Sequence, residues 1–136
     1  MKMPKVIDAN ILLKFLSDDD PDKTAACETL LLMVEKGKEK VFLPDLVIAE
    51  IVWTLEKFYK VEKKRIKELL TTVFAAEGLI CPDKGRLLSA LAIYAAKNID
   101  WTDAFVAVQM IENRQPEIYS YNSGFDQLPE IIRLEP

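Results

Sequence analysis

Asp8, Glu50 and Asp103 each interrupt an apolar run, and they define the chemistry this chain could perform. Asp8 ends Val6-Ile7 and precedes Ala9-Asn10-Ile11-Leu12-Leu13. Glu50 lies inside Leu46-Val47-Ile48-Ala49-Glu50-Ile51-Val52-Trp53, and Asp103 opens Asp103-Ala104-Phe105-Val106-Ala107-Val108. An ionised carboxylate in apolar surroundings is costly unless it is paired or bound to metal. The chain contains no histidine, so the usual proton carrier near neutral pH is missing. Converging acids without imidazole point to a divalent cation held by oxygen ligands, Mg²⁺ or Mn²⁺. Such an ion lowers the pKa of a bound water and neutralises a phosphodiester during in-line attack, so no Ser, Cys or His nucleophile is required.

Each acid also has an ordinary reading. Glu50 shares a helical face with Leu46, Val47 and Trp53, which marks the core-facing side, but it also suits the edge of a helix buried on most sides. Asp103 fits the first turn of a helix through the helix dipole. Asp100 fits an N-cap as well as a ligand. Asn10, two residues from Asp8, projects on the same side of an extended strand end. Taken together, three such acids on separate segments form a pattern that none of them forms alone.

The elements that must position them follow from periodicity and punctuation. Val6-Ile7 predicts a buried strand, with Asn10 capping a helix over 10–16. Ser17-Asp18-Asp19-Asp20-Pro21-Asp22 is a loop signal, with Asp20 or Asp22 capping a helix that runs to residue 35 and stops at Gly37. Val41-Phe42-Leu43 predicts a second strand and Pro44-Asp45 the start of a helix over 44–59. Further helices are expected over 62–76, 84–97 and 103–113. Strands are expected at Leu79-Ile80-Cys81, 117–121 and 131–134. Short apolar strands alternating with longer helices imply crossover connections and a parallel sheet covered on both faces. Sites in such sheets lie at the carboxyl ends of the strands, where Asp8 and Asn122 fall.

Length and composition bound the rest. At 136 residues the chain fits one domain, 1–136, with a substantial core. Its net charge of −4 excludes a broadly basic nucleic-acid coat protein. Any contact with nucleic acid is therefore local. No apolar stretch approaches the roughly 20 residues of a membrane span, and the N-terminal apolar run is too short for a signal peptide. Cys27 and Cys81 lack metal-ligand spacing and read as reduced small hydrophobes. A cytoplasmic protein without membrane attachment is expected. Lys57, Lys60, Lys63, Lys64, Arg65 and Lys67 could track an RNA backbone, but Glu56, Glu62 and Glu68 favour a solvated helix face. Trp53 is expected in the core. Trp101 is expected in the core or an interface rather than stacked on a base.

The segments Val6-Ile7-Asp8-Ala9-Asn10-Ile11, Pro44-Asp45-Leu46-Val47-Ile48-Ala49-Glu50, Thr102-Asp103-Ala104-Phe105-Val106-Ala107 and Tyr119-Ser120-Tyr121-Asn122 resemble the PIN-domain nucleases, in order and over nearly the whole chain. Among these the chain looks most like the small VapC-type toxins of prokaryotic VapBC toxin–antitoxin pairs. The resemblance implies a three-layer α/β/α sandwich with a central, mainly parallel sheet. It also implies Mg²⁺ or Mn²⁺ dependence, endoribonuclease activity on RNA, a homodimer formed with the N-terminal helices, and an antitoxin partner. Carried over by position, Asp8, Glu50 and Asp103 are catalytic, metal-binding acids, with Asn10 and Ser120 supporting them through hydrogen bonds. One departure stands out: the family usually has a fourth acid where this chain has Asn122. Asparagine brings a carbonyl oxygen but no charge, so a second metal would bind poorly. Asp126 either substitutes for that acid or serves as a turn residue.

Asn122 motivates a second reading, a catalytically weakened PIN-fold protein that binds RNA or acts as a scaffold. An aspartyl phosphotransferase of the haloacid-dehalogenase kind needs a second Asp two residues after the first, where Asn10 stands. A receiver domain likewise lacks its paired acid. Both are set aside.

Overall fold

A computed structural model describes residues 3–17 and 20–136. Asp18 and Asp19, part of the loop expected between the first two helices, lie outside the described residues. The chain falls into two compact units, the first reaching Pro82 and the second Asp83–Pro136.

The first unit is built on three short parallel strands, β1 (Lys5–Val6), β2 (Val41–Phe42) and β3 (Leu79–Ile80), with β2 in the middle. Lys5 faces Val41 and Val41 faces Leu79 in register. The ladder continues one residue beyond the formal ends of β1 and β2. Ile7 N–H donates to the Phe42 carbonyl at 3.0 Å, and Leu43 N–H donates to the Ile80 carbonyl at 2.8 Å. Between the strands run α1 (Ala9–Ser17), α2 (Pro21–Glu35), α3 (Asp45–Trp53) and α4 (Lys63–Phe74). Helix α2 starts as its sequence dictates. Asp20 caps it by accepting from Lys23 N–H at 3.3 Å, and Pro21 fills the first position, where a missing N–H costs nothing. Past its end Gly37 takes φ +75°, a left-handed conformation that reverses the chain at little cost for glycine. The helix expected over 44–59 is α3 continued by a π-helical stretch, Thr54–Phe58.

The core of this unit comes from apolar residues at helical spacing. In α4 these are Ile66, Leu70 and Phe74, all buried. In α3 the buried residues are Ile48, Ile51 and Val52, followed by Leu55 in the π-helical stretch. Gly78 sits where a side chain has no room. A Cβ there would run into the Glu39 carbonyl oxygen and come within 2.7 Å of the Val34 carbonyl oxygen.

The second unit pairs α5 (Lys84–Ala96) with α6 (Trp101–Glu112). It carries a two-stranded parallel ladder, β4 (Glu117–Tyr119) with β5 (Ile132–Leu134). Asp83 caps α5 by accepting from Arg86 N–H at 3.0 Å. Leu87, Ala90, Leu91 and Tyr94 of α5 and Trp101, Ala104, Ala107 and Val108 of α6 are buried. Tyr94 and Trp101 meet edge to face with ring centroids 6.0 Å apart. Trp101 is thus a core residue, as expected.

Trp53 is not. Its helix is apolar nearly all round, so local spacing did not reveal which stripe would be buried. Ile48, Ile51, Val52 and Leu55 take the inner face, leaving Leu46, Glu50 and Trp53 on the opposite one, with Trp53 64% exposed.

Candidate active site

In the first unit the backbone turns from β1 into α1 at Asp8. The Asp8 carboxylate accepts from Ala9 N–H at 2.8 Å, and its backbone carbonyl accepts from Ile11 N–H at 3.2 Å. Negative charge at a helix start is favourable, so this exposed acid is locally satisfied rather than stranded. The helix begins one residue earlier than expected, which makes Asp8 its leading residue and leaves Asn10 exposed within its first turn. Asn10 is therefore not the cap.

Glu50 also differs from expectation. It lies on the exposed face of α3 rather than the core-facing side. No charged or polar side chain is buried among the described residues, so the acids do not carry the desolvation cost that their apolar neighbours in sequence suggested. Their immediate neighbours Ile7, Ala9 and Ile51 are the buried ones.

Asp103 is the exception. It is the third residue of α6 and half-buried. Burial pushes its carboxyl pKa above the ordinary value; the Asn122 hydrogen bond opposes this shift and the nearby Asp100 charge adds to it. Asp100 occupies the N-cap position with extended backbone, φ −72° and ψ 159°, but its side chain makes no capping bond. Its backbone carbonyl accepts from Ala104 N–H at 2.9 Å.

The loop after β4 is tied to Asp103 by a run of hydrogen bonds. Ser120 Oγ accepts from Asn122 N–H at 3.0 Å, so the expected supporting role of Ser120 takes the form of a backbone anchor for that loop. Asn122 Oδ1 accepts from Gly124 N–H at 2.9 Å, and Asn122 Nδ2 donates to Asp103 Oδ2 at 2.6 Å. Asp126 takes no part in this. Its carboxylate receives both Arg133 Nε at 3.0 Å and Arg133 Nη2 at 3.1 Å, a bidentate pair. Both of its oxygens are held by Arg133, as suits a turn acid.

Arg133 is the residue that sequence reasoning missed. Besides Asp126 it donates to the Ser120 carbonyl at 3.1 Å and to Glu135 at 2.9 Å, and its bonds to Asp126 and then Glu135 raise its pKa. Its side chain thereby pins the end of β4, the loop and the C-terminal strand. The signal was present: a lone cation in the apolar run Ile131-Ile132-Arg133-Leu134 is as conspicuous as an acid in one.

The donor chemistry of Asp8, Glu50 and Asp103, three carboxylates with no imidazole or thiolate among them, suits a hard divalent cation. Among the described residues, however, no three acidic, histidine or cysteine side chains come together as a cation site. Of the basic stretch, Arg65 pairs with Glu68 at 3.0 Å and Lys57 with Glu56 at 2.8 Å, as a solvated helix face would.

Comparison with known proteins places these features. The sequence model of the PIN domain matches residues 5–131, and the chain belongs to the PIN-domain family. That membership bears out the expected α/β fold with parallel strands between helices. A VapC ribonuclease from Aquifex aeolicus (strain VF5) is 28% identical over 124 residues, which are 91% of this chain and 91% of that protein. No helix among the described residues is long and apolar enough to cross a membrane.

Proposed function

We propose that the protein is a metal-dependent endoribonuclease, the toxin of a VapBC-type toxin–antitoxin pair, and that residues 1–136 act as one PIN-like domain. The observation that carries this reading is the family match over residues 5–131, together with likeness to a VapC ribonuclease along 91% of each chain. Asp8, Glu50 and Asp103 would hold Mg²⁺ or Mn²⁺, which supplies an activated water and neutralises phosphodiester charge when bound. The exposure of Asp8 and Glu50 suits a substrate as large as an RNA strand. Asp8 keeps its charge fixed at the start of α1 through the Ala9 N–H. Asn10 stays a supporting residue in this reading, as does Ser120 through Asn122. Asp100 adds negative charge near Asp103 without ligating.

A homodimer and an antitoxin complex belong to the same proposal. In support, α1 and α2 leave Phe15, Leu32 and Met33 exposed, and Phe15 also lines an apolar cavity of about 250 Å³ with Leu12, Leu31, Val34, Val73 and Leu79. A cytoplasmic location follows from an RNA substrate.

The test is cleavage of structured RNA by purified protein with Mn²⁺ or Mg²⁺, with and without chelator, alongside calorimetric Mn²⁺ titration of wild type and Glu50→Gln. Cleavage abolished by chelator and by Asp8→Asn, with Mn²⁺ binding weakened at least tenfold in Glu50→Gln, is the expected result. RNA binding without cleavage under every metal condition favours the second reading, a PIN-fold RNA-binding protein. Its motivation is Asn122, whose neutral amide stands opposite Asp103.

A further inference from the structure

We infer that the exposed aromatic end of α3, Trp53 and Phe58 with Lys60, Lys64 and Lys67, is a binding subsite for single-stranded RNA. Unpaired bases stack on the rings and the lysines meet the phosphates. The inference rests on the ribonuclease reading above and names how the first unit would hold that substrate.

Large apolar side chains that cluster at a surface mark a place where something binds. Trp53 is 64% exposed and Phe58 71% exposed, and the winding of the chain brings them toward one side. In a regular α-helix two residues five apart stand about 140° round from each other. The π-helical stretch Thr54–Phe58 bonds residue i to i+5, as in the 3.1 Å bond from Tyr59 N–H to the Thr54 carbonyl, and so swings Phe58 back toward Trp53. Phe58 is braced by Tyr59, edge to face with ring centroids 5.0 Å apart. A braced ring loses little freedom when a base lies on it. Glu50 is one turn before Trp53 on the same outer face, so a base stacked on Trp53 brings its strand alongside that acid.

The cations select RNA as the occupant. Residues 57–67 hold six lysine and arginine side chains against one acid, Glu62, in a chain whose net charge is −4. Lys57 pairs with Glu56 and Arg65 with Glu68, but Lys60, Lys64 and Lys67 are exposed and form no ion pair among the described residues. The turn at Lys60, φ 58°, is held by Val61 N–H on the Leu55 carbonyl at 2.9 Å. It folds the start of α4, with Lys64, back against the π-helical stretch. A second copy docked here about a two-fold axis would set these lysines against themselves, which is repulsive. A polyanion with exposed ring faces satisfies both halves of the surface, the rings through stacking and the lysines through its phosphates.

The test is binding of single-stranded oligoadenylate RNA to the full chain in chelator, where no metal-dependent cleavage occurs. It is followed by anisotropy of labelled RNA and by tryptophan fluorescence. Wild type should bind with quenched fluorescence. Trp53→Ala should weaken binding by about fivefold or more. Trp53→Phe should keep affinity within about twofold of wild type while abolishing the quenching, since the remaining Trp101 is buried. The double variant Lys64→Gln/Lys67→Gln should lower the slope of log K against log salt by about 0.7 per lysine. No binding by wild type, affinity unchanged in Trp53→Ala, quenching that persists in Trp53→Phe, or an unchanged salt slope overturns the inference. So does a dimer in sedimentation that Trp53→Ala splits into monomers, which makes this face an interface between copies. The ribonuclease reading fails separately. RNA held through Trp53 but left uncut with Mn²⁺ refutes that reading and leaves the subsite, whereas cleavage with KM unchanged in Trp53→Ala refutes the subsite and leaves the reading.

Discussion

The two tryptophans give the sharpest test of how this chain packs. Trp101, 6% exposed at the first position of α6, lies edge-on to the buried Tyr94 and tilted against Phe105 at 6.2 Å. Truncating a buried tryptophan to alanine costs about 3–5 kcal/mol. The aromatic geometry accounts for about 0.5–1.5 kcal/mol of that cost. Trp53, 64% exposed on the outer face of α3, has few contacts to lose, and replacement of such a surface residue stays within about 0.5 kcal/mol. The gap between Trp101→Ala and Trp53→Ala is then about 3 kcal/mol, on the order of a hundredfold in the folding constant. Against a typical total of about 5–15 kcal/mol, Trp101→Ala should remain foldable but fragile. Urea denaturation of both variants measures the difference, with an unchanged m-value certifying that stability itself has moved. Acrylamide should quench the fluorescence of Trp101→Phe, which retains Trp53, far more than that of Trp53→Phe. A loss below about 1 kcal/mol in Trp101→Ala, or a larger loss in Trp53→Ala, would refute the packing described above.

Gly78→Ala should destabilise by about 1–3 kcal/mol or more, because the obstructing atoms are backbone carbonyls of Glu39 and Val34 that cannot swing aside; thermal unfolding measures it. Burial raises the Asp103 pKa above 3.8, so the metal-free folded protein holds that proton more tightly than the unfolded chain does. Stability contributed by protonated Asp103 is therefore full below 3.8 and is lost as pH rises through the elevated value, and Asp103→Asn should gain on wild type across that interval in paired denaturation curves. Arg133→Gln should free Asp126 and the Ser120 carbonyl together, speeding amide exchange at residues 120–124 while leaving β1–β3 unchanged in the same exchange map.

Most elements were legible in the sequence because their signals are local. Asp20-Pro21 and Asp83 start α2 and α5 where a capping acid must stand, and Gly37 ends α2 because the chain there needs a left-handed residue. The five short strands fall within a few residues of the apolar runs that predicted them. What failed was the choice among faces and partners. Leu46, Val47, Ile48, Ile51, Val52 and Trp53 are apolar around the whole helix, so periodicity allowed either side to be the core, and Glu50 was assigned to the wrong one. Asp126 suited a turn better than a ligand in the sequence, but only the fold shows Arg133, seven residues on, taking both its oxygens.

Residue types and their order were plain from the chain alone: the histidine-free set of acids, the strand–helix alternation and the family to which they belong. These follow from the chemistry of side chains and from interactions within a few residues. That Asp8 leads a helix, that Glu50 faces outward, and that Asn122 turns its NH₂ rather than its oxygen to Asp103 came from the fold. Each of those depends on where a donor, an acceptor or an apolar neighbour stands in space, and the direction of a hydrogen bond is set by the partner at its other end.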